Sequence, residues 1–412
     1  MVIALAADVG LVEAQERDSL DIKIGQMILI GVPGTGPDAE VLEEIRQGKA
    51  GSIIFFEKNI SSKNAYATLK KMAWTYKQVA PIPLFVAIDQ EGGKVNRLKE
   101  KYGFPSSITA EAMGASLDSV RYYGQSTAAI LSGLGINVNF APVLDLASNP
   151  DNPIIAKVGR AFSAHEDTVA IYAREFIKTH RRAGVLTVLK HFPGHGSSRQ
   201  DTHLGMADVT KTWNERELKP YKVLIDSGYA DAIMTAHIVN KALDPKGLPG
   251  TLSKAILDSL LRKTLHYQGV VFSDDMQMHA ITKHYGLEEA IRLAINAGVD
   301  ILTFSNNIAG SEERTVDKVH GIITKLVKQG AIAEAQIDRS FHRIMDLKAH
   351  LATTQENYLA TELAKSKEAL RTLQSQYDSL KQEAIKREIP EKGEIDSKPE
   401  YQNPKKKKRK RK

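Results

Sequence analysis

"VLTVLKHF", residues 185–192, runs apolar without alternation except at Thr187 and then ends on Lys190 and His191. A strand buried on both faces reads this way, because neither face needs to be polar. Seven more runs share the character: "QMILIGV" (26–32), "GSIIFF" (51–56), "LFVAID" (84–89), "VNFAPV" (138–143), "AIMTAHI" (232–238), "VVFSDD" (270–275) and "DILTFS" (300–305). Helical patterns lie between most of them, such as "VLEEIRQG" and "LEEAIRLAINAG", the second stopping at Gly298. Eight strands with helical connections between about residue 20 and residue 350 predict an α/β fold, a (β/α)8 TIM barrel. A doubly wound open sheet is the alternative, since periodicity does not establish closure.

Polar residues gather where these runs end: Asp89, Asp145, Lys190 with His191, His237, Asp274 with Asp275, and Ser305 with Asn306. A barrel carries its chemistry at that rim. One such residue alone reads as a strand-end cap; six strands ending this way predict a polar pocket.

The rest of the chain bounds what the protein does. Of 412 residues 42% are hydrophobic, enough for a sizeable core, and no apolar run reaches the roughly 20 residues that span a bilayer. The chain has no cysteine, which excludes disulfides, thiolate metal sites and a cysteine nucleophile. Residues 1–17 are mildly apolar but lack a basic start and are broken by Asp8. The expectation is a cytoplasmic protein as the sequence stands, or an exported, periplasmic one if this segment is a truncated signal peptide. The formal charge of +7 belongs to "KKKKRKRK" (405–412), whose eight positive charges leave the remainder at −1. The barrel region, residues 18–350, is therefore not read as basic. Leu359, Leu363, Ser366, Leu370, Leu373, Tyr377, Leu380 and Ala384 follow a 4-3-4-3-4-3-4 spacing, a heptad seam within a predicted C-terminal helix over 355–389. A lone helix and a homodimeric coiled coil through 359–384 both fit it. Residues 390–412 read as a disordered, lysine-rich tail suited to an anionic polymer or membrane surface, with no specific nucleic-acid partner expected.

"KHFPGHGSSRQDTH" (190–203) concentrates ionisable side chains in a segment rich in turn formers. His191 and His195 have the four-residue spacing of a zinc helix, but Pro193 and Gly194 between them break a helix, so no metal is expected. Asp201 and His203, two apart, leave an extended loop on the same face. The carboxylate can then fix the imidazole's tautomer and raise its pKa for proton donation near neutral pH. A surface loop is the plain alternative. Asp274 supplies a carboxylate on another strand, with a structural cap as its competing reading. In "AIDQEGGKVNRL", Asp89 suits sugar hydroxyls and Arg97 a carboxylate or an acetamido oxygen, or else the two form an internal salt bridge.

Taken in order, "LDIKIGQMILIG", "AIDQEGGKVNRL", "NFAPVLDL", "VGRAFS", "LKHFPGHG", "DTH", "FSDDMQM" and "AGVDILTFSNN" resemble glycoside hydrolase family 3 β-N-acetylglucosaminidases of the peptidoglycan-recycling type. The resemblance spans about residues 20–350. It implies Asp274 as nucleophile, His203 as general acid/base and Asp201 as its orienting partner. Asp89, Arg97, Arg160, Lys190 and His191 then hold the N-acetylglucosamine unit. Thr202 stands where the family usually has serine. The implied activity is retaining exo-hydrolysis of terminal β-linked N-acetylglucosamine from peptidoglycan fragments, without a cofactor. A β-glycoside phosphorylase or another family 3 exo-glycosidase is the alternative, because an imidazole acid repels phosphate less than a carboxylate would. An anionic-surface binding protein driven by the tail is the non-enzymatic one.

Overall fold

A computed structural model describes residues 19–200, 205–308 and 315–388. Each apolar run contains a strand: β1 (Ile28–Gly31), β2 (Ser52–Phe55), β3 (Phe85–Ile88), β4 (Val138–Asn139), β5 (Leu186–Phe192), β6 (Ala232–Thr235), β7 (Val270–Asp275) and β8 (Ile301–Phe304). Every neighbouring pair is parallel, and β8 pairs back onto β1, so the sheet closes into an eight-stranded barrel. Closure removes both sheet edges, which disposes of the open-sheet alternative.

The strands are buried along nearly their whole length because helices cover the outside. α1 (Leu20–Gln26) starts at Ser19 and α2 (Ala39–Arg46) at Asp38, each capped by its own side chain. α3 (Ala65–Val79), α4 (Leu117–Leu134), α5 (Glu166–Arg182) and α6 (Lys219–Asp226) follow, then a π-helix over Ala255–Thr264. α7 (Leu287–Ala297) stops where Gly298 takes φ 116°, a left-handed cap that suits glycine. α8 (Val316–Lys328) and α9 (Glu334–Glu388) are the last described helices.

"VNFAPV" yields only two strand residues, and asparagine amides extend the ladder that its backbone leaves short. Asn137 accepts from Val86 N at 2.7 Å and donates to Leu84 O at 2.9 Å. Asn139 brackets Gln90 in the same manner, accepting at 3.0 Å and donating at 3.1 Å. These side chains act as extra backbone between β3 and β4, the strands that lead to Asp89 and Asp145.

Contacts divide the chain into two units after Tyr358. The heptad residues fall in the second unit, and α9, the helix that contains them, starts at Glu334. Among the described residues no helix is long and apolar enough to cross a membrane. The segment 1–17 and the tail 390–412 lie outside the described residues.

Candidate active site

Two β-bulges set the site. Along β5, Leu189 pairs with Ile233 and Phe192 with Thr235, so three steps on β5 face two on β6. Along β7, Phe272 pairs with Ile301 and Asp275 with Thr303, again three steps against two. An extra residue kinks a strand and re-aims its side chains. Here the extra residues fall at Lys190–His191 and at Ser273–Asp274. Strict alternation would turn one of Lys190 and His191, and one of Asp274 and Asp275, away from the mouth. All four line one cavity of about 260 Å³, together with Asp89, Glu91, Arg97, Arg160 and His195.

The loop after β3 folds back on Gly92 (φ 106°), where a Cβ would stand 2.1 Å from Ile108 O, so only glycine fits. Gln90 ties its two ends, accepting from Arg97 N at 3.0 Å and Leu98 N at 3.1 Å. That tie returns Arg97 over the cavity, 3.5 Å from Asp89 and with its guanidinium 5.3 Å from the Phe56 ring centroid. Among the described residues Arg97 Nε is buried without a hydrogen-bond partner.

A continuous charge network runs beneath. Lys190 Nζ reaches Asp89 at 2.8 Å and Glu91 at 2.6 Å. Glu91 receives a bidentate pair from Arg160 at 2.7 and 2.8 Å. Burial opposes the charge on Glu91, yet Arg160 and Lys190 outweigh it and hold its carboxyl well below the usual range. Burial likewise opposes the Lys190 ammonium, and Asp89 and Glu91 reverse the effect and raise its pKa. The lysine is a fixed cation at the cavity wall.

Arg160 also donates to Ile154 O at 3.0 Å and to His191 Nε2 at 3.3 Å. A guanidinium only donates, so Nε2 accepts and the neutral His191 ring carries its proton on Nδ1. Nδ1 faces Asp145 Oδ2 at 2.6 Å. Asp145 Oδ1 further accepts from the backbone N–H of His191 at 3.2 Å and of His195 at 2.8 Å. Burial works against the Asp145 charge, and His191 foremost holds its carboxyl low.

Asp274 N donates to Thr235 Oγ1 at 3.3 Å, and Asp274 Oδ1 accepts from Asp275 N at 2.8 Å. Behind them His237 Nε2 meets Asp275 O at 2.9 Å, so its Nδ1 accepts from Thr251 Oγ1 at 2.7 Å. Thr251 in turn meets Thr235 Oγ1 at 2.7 Å. His237, on the rim in sequence, is thus fully buried and steadies the turn that carries Asp274. Asp275 is locked by the Ser305 hydroxyl and by Gln277 N at 3.0 Å, and burial pushes its carboxyl up to about 6. The two neighbouring acids are distinguished by these partners: Asp275 is a buried latch, and Asp274 is the more accessible to the cavity.

His195 lines the cavity, but burial pushes its imidazole down to about 4, so it is neutral where a general acid must hold a proton. Asp201, Thr202 and His203 lie outside the described residues. The chain entering them is held tightly. Glu217 accepts from Gly196 N at 2.8 Å and Ser197 N at 3.2 Å. Asn152 Nδ2 donates to His195 O at 2.9 Å and Gly196 O at 3.0 Å, and Asn149 Nδ2 to Ser198 O at 2.8 Å. The chain leaving them pairs Ala207–Asp208 with Ile238–Val239. Among the described residues no group of three or more His, Asp or Glu side chains could hold a metal ion.

Glu91 and Glu217 are residues that sequence reasoning did not single out, and Asp145, named at the rim, was given no role. A signal existed for the first: Glu91 follows Asp89 by two, a spacing that returns side chains to one side of an extended segment. Glu217 carries no such signal, because it meets Gly196 only through the fold. A larger hollow of about 480 Å³ lies at the other end of the barrel, beside Val185, Leu186 and Val270 where strands begin. That end reads as a stability face in barrels of this kind.

The sequence model of the "Glycosyl hydrolase family 3 N terminal domain" matches residues 19–347. A beta-hexosaminidase of Tolumonas auensis is 35% identical over 289 residues, covering 69% of this chain and 84% of that protein. A beta-hexosaminidase of Xanthomonas axonopodis pv. citri is 30% identical over 347 residues, covering 80% of this chain and 100% of its own length. Among solved structures, a glycoside hydrolase family 3 beta-N-acetylglucosaminidase from a Paenibacillus species superposes with a TM-score of 0.74 at 32% identity, covering 82% of this chain and 67% of that one. The beta-N-acetylhexosaminidase of Beutenbergia cavernae superposes with a TM-score of 0.73 at 28% identity, covering 80% and 98%.

Proposed function

This chain belongs to glycosyl hydrolase family 3, and from that premise we propose that it is a retaining exo-β-N-acetylglucosaminidase acting on peptidoglycan fragments. The carrying observation is Asp274, set by a bulge at the mouth of a cavity whose other wall is the Asp89–Lys190–Glu91–Arg160 network. At about 260 Å³ the cavity is just under the roughly 300–1,000 Å³ of drug-sized ligand sites and suits one sugar unit, as removal of a terminal residue requires.

Asp89, Lys190 and His191 offer an acceptor, a fixed cation and a ring to the sugar hydroxyls. The buried, unpartnered Nε of Arg97 suits an acetamido oxygen. Arg160 commits four of its five N–H groups to Glu91, Ile154 and His191, so its part is chiefly to hold the wall, with one N–H left for the sugar.

In the first step an Asp274 oxygen attacks the anomeric carbon, the glycosidic C–O bond breaks, and protonated His203 gives its proton to the leaving oxygen. In the second, neutral His203 takes a proton from water, which attacks the same carbon and releases Asp274 from the ester. Two inversions give net retention. Asp201 keeps the His203 ring in the required tautomer and favours its charged form.

Asp274→Asn and His203→Ala are each expected to lower release of p-nitrophenol from its N-acetylglucosaminide by on the order of 10³-fold or more, with circular dichroism unchanged. A fluorosugar adduct located on Asp274 by mass spectrometry separates this route from attack by the substrate's own acetamide, which leaves the enzyme unmodified. Products from muropeptides and from chitobiose, measured side by side, decide the substrate class. Sugar 1-phosphate formed in phosphate buffer would move the reading to a phosphorylase.

A further inference from the structure

The described residues include ten large hydrophobic side chains that are exposed, and five of them are Leu363, Leu370, Leu373, Tyr377 and Leu380, at 56–70% exposure. They share one seam of α9. Leu363, Leu370 and Tyr377 take heptad position a; Ser366, Leu373 and Leu380 take position d. Apart from Ala364 and Ala369 the residues between them are polar, and those whose side chains are described are exposed, so the seam is a narrow a/d stripe, the width one helix needs to meet one other helix. We infer that residues 359–384 form a parallel, in-register, two-stranded coiled coil with a second copy of this chain.

Flanking charges choose the orientation. In a parallel pair each g residue faces the e residue five positions later on its partner. That sets Glu362 against Lys367, twice by symmetry, while Ala369 meets Gln374 and Gln376 meets Lys381. No like charges meet between 362 and 381, and the one like-charge g–e pair, Glu383 with Glu388, falls at the end of α9. In an antiparallel pair e faces e and g faces g. The register that layers Leu370 on Leu373 brings Glu362 against Glu383. Sliding it one heptad in either direction sets Lys367 against Lys381, or Lys367 against its own copy. Each of these three antiparallel registers brings like charges together. Leucines continue the stripe through three successive heptads, and Ser366 is the one polar residue in its middle. The small unbranched oxygen there leaves room for a thiol.

The chain has no cysteine, so an introduced one reports on itself alone. Ser366→Cys and Leu380→Cys are made separately in the full chain and oxidised mildly at tens of micromolar. The parallel pair places each cysteine opposite its own copy, so both variants give covalent dimers in high yield. Light scattering is expected to give twice the protomer mass for the parent chain and the protomer mass for Leu373→Asp, with p-nitrophenyl N-acetylglucosaminide turnover unchanged. A protomer mass for the parent, or a dimer that survives Leu373→Asp, overturns the proposal. So does cross-linking confined to a Ser366→Cys/Tyr377→Cys double variant, the pair an antiparallel register brings together.

Discussion

Asp145 is fully buried and accepts three hydrogen bonds, from the ring and backbone of His191 and the backbone of His195. Its neighbours leave His191 one workable neutral tautomer, since Arg160 donates to Nε2 and Asp145 receives from Nδ1. Asp145→Asn tests this reading because it keeps shape while changing donor and acceptor. The amide NH₂ can satisfy Nδ1 only if the ring moves its proton to Nε2, where it then opposes Arg160. Catalysis is expected to fall by roughly 10²–10⁴-fold, the scale seen when a carboxylate that fixes a histidine tautomer becomes an amide. Steady-state kinetics with a melting curve check it; a variant that melts as the parent does and keeps full kcat/KM would show that the tautomer is immaterial. The same logic separates Asp274 from Asp275. Both follow Ser273 in one motif, and only the hydrogen bonds from Ser305 and Gln277 show which one is the latch.

At the scale of elements, what the chain alone made legible was whatever repeats locally. Eight apolar runs became eight strands, and α7 stopped at Gly298 as its pattern predicted, because burial pattern and capping are properties of neighbouring residues. The bulges at Lys190–His191 and Ser273–Asp274 were not legible. A bulge is a mismatch in count between two strands about forty or thirty residues apart, and no one strand records it. The bulges put both members of each adjacent pair on the cavity, where period-two reasoning allowed one. α9 gave a second surprise. Its first part contributes Lys348, which is buried and donates to Gln26 Oε1 at 2.6 Å and Gly51 O at 2.9 Å, 4.8 Å from the Phe85 ring centroid. Those oxygens and the ring favour the charged form, but no carboxylate is among its partners, and burial pushes the ammonium down to about 7 from an ordinary 10.5. Between those values the unfolded chain binds the proton that the folded one has released, so this group makes stability rise with pH across that window. Lys348→Met removes the dependence. Urea unfolding of parent and variant at pH 6.5, 8 and 9.5 is expected to show the parent gaining on the variant by on the order of 2–4 kcal/mol between the extremes. A gap independent of pH would mean that Lys348 stays charged throughout.

For the molecule as a whole, charge is divided as unevenly as structure. The final eight residues carry all of the net positive charge, and what precedes them carries −1. In the cavity Lys190, Arg97 and Arg160 stand against Asp89, Glu91, Asp274 and Asp275, so its charges nearly cancel and a neutral sugar is held by local contacts. Attraction to an anionic polymer or lipid surface is expected of 405–412 and catalysis of the barrel, and the two should separate cleanly. A surface-held basic residue contributes about 1 kcal/mol near an anionic membrane, so eight in a row would suffice for an anchor even if only a few engaged at once. Removing 405–412 is expected to leave p-nitrophenyl N-acetylglucosaminide turnover unchanged and to weaken binding to phosphatidylserine vesicles by at least ~100-fold, about 3 kcal/mol. Raising salt from 50 to 500 mM should erase most of the difference, because screening acts on exposed charges first. Two copies joined through 359–384 would present sixteen such charges side by side. The monomeric Leu373→Asp variant, which keeps its tail, should then bind vesicles more weakly than the parent though more tightly than the tail deletion. Equal binding by parent and Leu373→Asp would mean that each tail acts alone.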